Sequence, residues 1–227
     1  MTDATPIQTV TQVTRLLESL DIPYMIGGSF ASSVHGMGRH TRDADLVIDL
    51  APSKVNALVH GLQKEFYVSR EAIQEALRDH DVFNAIHLES TFKLDFFILG
   101  TSPFDREEFR RRDADQTVES GGAGLVFKTP EDTILRKLER YRTGGETSDQ
   151  QWRDVLGVLA VCRSRLDNAY MPSGCVRHAQ LPAEGWGCEG PRRRGGEPSR
   201  GRAAQQCGQG LVIAQSLVYI IHIMRHG

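Results

Sequence analysis

Tyr24-Met25-Ile26-Gly27-Gly28-Ser29, followed by Asp43-Ala44-Asp45-Leu46-Val47-Ile48-Asp49-Leu50, decides how this 227-residue chain is read. Ile22 to Ile26 is a short apolar run halted by two glycines, the pattern of a buried strand that ends in a turn. Ser29 to His35 then reads as a short helix rich in small residues. Asp43 to Leu50 alternates polar and apolar residues, the period of a half-buried strand.

The chemistry of the stretch lies in its carboxylates. Residues i and i+2 of a strand face the same side, so Asp43 and Asp45 present two carboxylates together. Like charges that close repel, and protonation or a shared cation relieves them. Hard oxygen donors of this kind suit Mg²⁺ (or Mn²⁺), whose remaining positions take water and phosphate oxygens. Gly27, Gly28 and Ser29 stand at a strand-to-helix turn, where backbone N–H groups can approach an anion. Asp95 is a lone acid in the apolar run Phe92 to Leu99. An unpaired buried charge there is costly, so it is expected to face a site. Two metal ions held by Asp43, Asp45 and Asp95 can activate a hydroxyl and neutralise a leaving pyrophosphate. Arg39 and Arg42 are electrostatic candidates for phosphate contacts. Asp49 falls at the far end of the strand and reads as a solvated acid. His35 and His40 read as phosphate contacts or as hydrogen-bonded loop residues. Gly36 and Gly38 lack the third glycine of a dinucleotide-binding turn.

Working outward, Ile7, Val10, Val13, Leu16, Leu17 and Leu20 recur at helical spacing over residues 6–20. Pro52 to Phe66 and Glu71 to Arg78 read as helices. Phe83 to Leu88 and Phe92 to Leu99 read as a strand hairpin around Glu89-Ser90-Thr91. Phe104 to Arg112 reads as a short charged helix with Arg110-Arg111-Arg112 as its solvated end, and Leu125 to Phe127 as a strand. Thr129-Pro130-Glu131-Asp132 starts a helix by a cap, a proline and two acids at the positive end of the dipole. That helix runs to about Arg142. The next starts at Ser148 or Asp149 and carries Trp152, expected in the core, towards Cys162. Strands interleaved with helices give an α/β (α+β) fold: a small mixed sheet, flanking helices and a helical C-terminal part.

The formal net charge of −2 conceals two compositions. Residues 1–171 hold 20 Lys and Arg against 26 Asp and Glu, whereas residues 172–227 hold 7 Arg and 3 Glu. The tail also carries 10 of the 22 Gly and 3 of the 4 Cys. Residues 172–210 show no hydrophobic periodicity and too little apolar surface to offset their ordering entropy. The tail therefore reads as a low-complexity segment, either disordered or the product of a shifted reading frame, and an Arg-rich nucleic-acid arm is the functional alternative. Residues 1–128 read as the core and 129–171 as the helical part of the same domain. No secretory leader is expected at Met1-Thr2-Asp3-Ala4-Thr5. The apolar run Leu211 to Met224 falls short of the roughly 20 residues that span a bilayer. The cysteines form no zinc-like pair, so a cytoplasmic, reducing setting without a membrane partner is expected. The core's acidic balance argues against a broad nucleic-acid footprint, although a local groove can still be basic.

Gly27-Gly28-Ser29, the spacer, Asp43-Ala44-Asp45-Leu46 and the distant Asp95 together resemble the DNA polymerase β-type nucleotidyltransferase superfamily. Phe127 to Leu138 and Gln151 to Leu156 extend the resemblance, over residues 5–171, to bacterial nucleotidyltransferases grouped with the AbiEii abortive-infection toxins. The tail does not match. The resemblance implies a minimal nucleotidyltransferase fold and transfer of a nucleoside monophosphate from a nucleoside triphosphate. The acceptor would be the hydroxyl of an RNA end, such as that of tRNA, or of a protein. It also implies a role in toxin–antitoxin systems or phage defence, with a cognate antitoxin or toxin as partner. Asp43 and Asp45 would hold both metals and Asp95 the catalytic one. Gly28 and Ser29 would cradle the β- and γ-phosphates. Lys137 would lie near the nucleotide or pair with an acid such as Glu131 or Glu139, and Asp154 matches an acid whose role is open. A catalytically inactive binding or antitoxin-type protein is the alternative reading.

Overall fold

The computed structural model describes residues 5–35, 43–115, 124–145, 147–162, 164–167 and 170–171. Arg39, Arg42, His40 and the tail from residue 172 lie outside the described residues. The chain opens with α1, Pro6–Ser19, which has Pro at its first position and Gln8 accepting from the Thr5 N–H at 2.7 Å. β1, Tyr24–Ile26, leads into α2, Gly28–His35, and then β2, Asp43–Ile48. After a 3₁₀ turn at Pro52–Lys54 come α3, Val55–Leu62, β3, Phe66–Tyr67, and α4, Arg70–Asp79. The hairpin strands are β4, Val82–His87, and β5, Lys93–Ile98. The remainder is α5, Pro103–Arg111, β6, Asp113–Asp115, β7, Leu125–Phe127, α6, Pro130–Thr143, and α7, Asp149–Cys162.

The seven strands form one mixed sheet in the order β3-β4-β5-β2-β1-β7-β6. β2 pairs parallel with β5 and antiparallel with β1, and β1 pairs parallel with β7. Alternation sorts the residues of the central strands. Ala44, Leu46 and Ile48 of β2 point to the same buried face as Leu94, Phe96 and Ile98 of β5 and Phe83 and Ala85 of β4. There they pack against Val10, Val13 and Leu17 of α1, Leu58, Val59 and Leu62 of α3, and Ile73 of α4. The Phe83 and Phe96 rings stack at 4.8 Å. Each such fully buried side chain contributes roughly 1.5–3 kcal/mol, which lets the opposite face of the same strands carry charge.

A second cluster joins Ile134, Leu135 and Leu138 of α6 to Val155, Val158, Leu159 and Cys162 of α7, with Trp152 packed against it as expected. Thr129 caps α6 by accepting from the Asp132 N–H at 3.2 Å. The helical hairpin is tied to the sheet through α2. Cys162 Sγ donates to the His35 carbonyl at 3.1 Å, and His35 Nε2 donates to the Lys128 carbonyl at 2.7 Å. His35 is thus a buried hydrogen-bonded residue.

Three readings change. The helix expected over Pro52 to Phe66 stops at Leu62, because Phe66 turns its ring onto His87 at 5.1 Å and opens β3. β6 is formed by pairing with β7, beyond the reach of local periodicity. Arg111 is not solvated: it lies 3.3 Å from Asp132 and 3.5 Å from Glu131, with its guanidinium 3.6 Å from the Tyr170 ring centroid. Among the described residues no helix is long and apolar enough to cross a membrane.

Candidate active site

The outward face of β2 and β5 carries the three carboxylates. Asp43 and Asp45 alternate with buried Ala44 and Leu46, and the parallel register sets Asp45 directly opposite Asp95 and Asp43 opposite Lys93. Asn84 of β4 stands opposite Asp95 on the other side. Asp45, Asp95 and Asn84 therefore form one row across three strands. Asn84 Nδ2 donates to Asp95 Oδ1 at 2.8 Å, and Lys93 Nζ lies 2.8 Å from Asp95 Oδ2.

The glycine turn closes on the same point. The Gly27 N–H donates to the Asp45 carbonyl at 2.9 Å, and the Ala31 N–H to the Gly27 carbonyl at 3.0 Å, starting α2. Gly28 has φ +58°, a left-handed conformation that glycine adopts without strain, and a Cβ on it would overlap the Asp45 carboxylate. Ser29 lies in the first turn of α2, partly buried. Behind the turn, the Lys128 ammonium is buried in an ion pair with Glu108 and lies 3.7 Å from the place a Gly27 Cβ would occupy. Burial pushes the Lys128 pKa down, against the pull of Glu108. Arg136 donates to Glu108 at 3.0 Å and to Glu139 at 2.9 Å, so Glu108 is satisfied by two cations.

Asp45 carries the electrostatic load of the site. Burial raises its pKa above the usual 3.8, Asp43 and Asp95 push it further up, and Arg140 and Lys137 oppose them. Its side chain is 20% exposed, and Arg140 Nη1 approaches Oδ2 at 4.0 Å. Arg140 is half exposed and also stands 6.0 Å from the Phe97 ring centroid, so the C-terminal half of α6 overhangs the open sheet face. Lys137, one turn earlier, is 4% exposed, and its Nζ lies 2.7 Å from Asp154 Oδ2. Gln150 donates to the other Asp154 oxygen at 2.9 Å. The acid that pairs with Lys137 is thus Asp154 of α7, not Glu131 or Glu139.

The donor chemistry fits a hard divalent cation: three carboxylates share one sheet face, and their mutual repulsion on Asp45 is the charge that such an ion offsets. The three share a face without converging: among the described residues, no three Asp, Glu, His or Cys side chains stand close enough together to hold an ion. Asp95 is turned to Asn84 and Lys93 instead. Arg140, Lys93 and Asn84 were not singled out in the sequence. The signal for Arg140 was its place three residues after Lys137 on one helix face.

No family model and no curated protein matches the chain. Among solved structures it is similar to the antibiotic-resistance factor ANT(2'')-Ia in solution, at 13% identity and a TM-score of 0.50, over 78% of this chain and 94% of that one. It is similar to the same factor in complex with adenylyl-2''-tobramycin at 12% identity and a TM-score of 0.50, over 76% and 98%. A nucleotidyltransferase-like protein from Paracoccidioides brasiliensis matches at 17% identity and a TM-score of 0.47, over 75% and 86%. The two ANT(2'')-Ia likenesses show a shared fold.

Proposed function

We propose that this chain, built on the fold it shares with ANT(2'')-Ia, is a DNA polymerase β-type nucleotidyltransferase. It would move a nucleoside monophosphate from a nucleoside triphosphate to an acceptor hydroxyl. The observation that carries the reading is the alignment of Asp43, Asp45 and Asp95 on one sheet face, with the Gly28 turn packed against Asp45.

Each part then has a task. Gly27, Gly28 and Ser29 open α2 towards Asp45, where the backbone N–H groups of the turn and the positive end of the helix dipole favour phosphate oxygens. Arg140 overhangs the same point and supplies positive charge to the triphosphate. Asp43, Asp45 and Asp95 would hold Mg²⁺ or Mn²⁺, which would neutralise phosphate charge and lower the pKa of the acceptor hydroxyl. The Asp95 carboxylate would help take up the proton as the acceptor oxygen bonds to the α-phosphorus, and the bond to the bridging oxygen breaks with loss of pyrophosphate. Catalysis of this kind is mostly positioning.

The placement beside the AbiEii-type toxins, with a cognate antitoxin as partner, rests on Phe127 to Leu138 and Gln151 to Leu156. Those two segments meet in the Lys137–Asp154 pair. RNA such as tRNA, or a protein, is the proposed acceptor, and the cytoplasm the proposed setting.

Incubation with Mg²⁺ and each α-labelled triphosphate, with tRNA, total RNA, lysate protein or a panel of hydroxylated small molecules, tests the reading. One acceptor should become labelled, and Asp43→Ala and Asp45→Ala should each abolish the label. Labelling that survives both substitutions overturns the three-carboxylate reading. Absence of label with every triphosphate and acceptor, together with retained partner binding, favours the inactive binding protein.

A further inference from the structure

Both oxygens of Asp95 are engaged, and the two partners differ in kind. Asn84 reaches Oδ1 at 2.8 Å from the strand directly opposite, on a short amide side chain. Lys93 reaches Oδ2 at 2.8 Å from two residues earlier on the same strand face, on a four-carbon stem that is 43% exposed. Lys93 is also the register partner of Asp43. Its ammonium therefore stands where the carboxylates of Asp43, Asp45 and Asp95 concentrate negative charge. Among the described residues, the neighbouring cations are committed elsewhere or more distant: Lys137 is on Asp154 at 2.7 Å, Lys128 is on Glu108, and Arg140 is 4.0 Å from Asp45.

We propose that Lys93 is a built-in counter-cation of the carboxylate cluster, displaced from Asp95 when a divalent ion binds. The proposal rests on the reading of these carboxylates as metal-holding. Without the ion, Lys93 offsets the repulsion that would otherwise act against the fold. Binding the ion requires the Lys93–Asp95 contact to break while Asn84 keeps Oδ1, so Lys93 sets the concentration of divalent ion at which the site fills. Its exposure gives the ammonium a path outwards, and the aliphatic stem can swing without disturbing β5.

Calorimetric titration of Mn²⁺ into the 227-residue wild type, Lys93→Met, Lys93→Gln and Lys93→Arg tests this, with melting temperatures measured in chelator and in saturating Mn²⁺. Removing a unit positive charge so close to the ion should tighten Mn²⁺ binding by about tenfold in Lys93→Met and Lys93→Gln. Both neutral variants should melt below wild type in chelator and recover in Mn²⁺, while Lys93→Arg stays near wild type throughout. Unchanged or weaker Mn²⁺ binding in both neutral variants overturns the counter-cation. If wild type still binds Mn²⁺ and Asp45→Asn abolishes that binding, the metal reading stands without it. An equal loss of melting temperature in chelator and in Mn²⁺ assigns Lys93 a purely structural role and also overturns the proposal. Failure of wild type and of all variants to bind Mn²⁺ overturns both readings.

Discussion

Gly28 and Asp45 share a space that admits no side chain between them: a Cβ on Gly28 would lie 2.9 Å from the Asp45 Cβ and overlap its carboxylate. The φ of +58° at Gly28 adds a second reason for glycine. Gly28→Ala should therefore destabilise the fold by about 1–3 kcal/mol in urea denaturation. It should also remove nucleotidyl transfer, because the Asp45 carboxylate has to leave its place to admit the methyl group. A variant with full stability and full activity would show that the turn is looser than described.

Asp45 should cost stability in exchange for chemistry. Its folded pKa is raised above 3.8, first by burial and then by Asp43 and Asp95, so the folded state binds the proton more tightly than the unfolded chain. Stability from the neutral form is present below 3.8 and is lost as pH rises through the folded value. Asp45→Asn should consequently be more stable than wild type at neutral pH, by about 1 kcal/mol, a gain commonly found on relieving a functional site. The gain should shrink as pH falls towards 3.8, and activity should be lost at every pH. Melting curves of the two proteins across pH in metal-free buffer check the sign.

Lys137 and Asp154 form a pair in which each side chain is about 5% exposed. Lys137→Met leaves a buried carboxylate without its cation, a loss of about 3–5 kcal/mol. Lys137→Met combined with Asp154→Leu should recover most of it, since an apolar pair of similar volume replaces the charges. Transfer assays on the recovered double variant then show what the Lys137 ammonium contributes to nucleotide binding, apart from holding α6 to α7.

Arg140 separates from Lys137 by exposure. With half of its side chain in solvent, Arg140→Gln should change stability by less than about 0.5 kcal/mol. If Arg140 meets the triphosphate, the KM for the nucleotide should rise by about tenfold, the loss of one charge-assisted contact. Steady-state kinetics over a range of triphosphate concentration distinguish this from a change in kcat.

The parts of the molecule governed by local pattern were legible in the sequence. Alternation placed Asp43 and Asp45 on one face of β2, and a single acid among Phe92, Leu94, Phe96 and Phe97 betrayed Asp95. The cap at Thr129 and the glycine stop at residues 27–28 placed two helix starts to within a residue. What the sequence could not show are the partners separated by long stretches of chain. Lys128 finds Glu108 and Lys137 finds Asp154 only because α5, α6, α7 and β7 meet in space. β3 is two residues long and β6 three, too short for any period to register. Lys137 is buried on Asp154 while Arg140, one helical turn later, is the half-exposed cation near Asp45, a difference set by how α6 lies against α7.

The in-register ladder between β2 and β5 also bears on how such a site persists through sequence change. The separation of Asp45 from Asp95 is set by main-chain hydrogen bonds between two strands, not by which apolar side chains lie beneath them. The layer under Ala44, Leu46, Phe96 and Ile98 can drift through any set of residues that keeps its volume and alternation, and the carboxylates above still arrive side by side. An arrangement of this kind is carried by backbone register, and this is compatible with a fold shared at 12–13% identity.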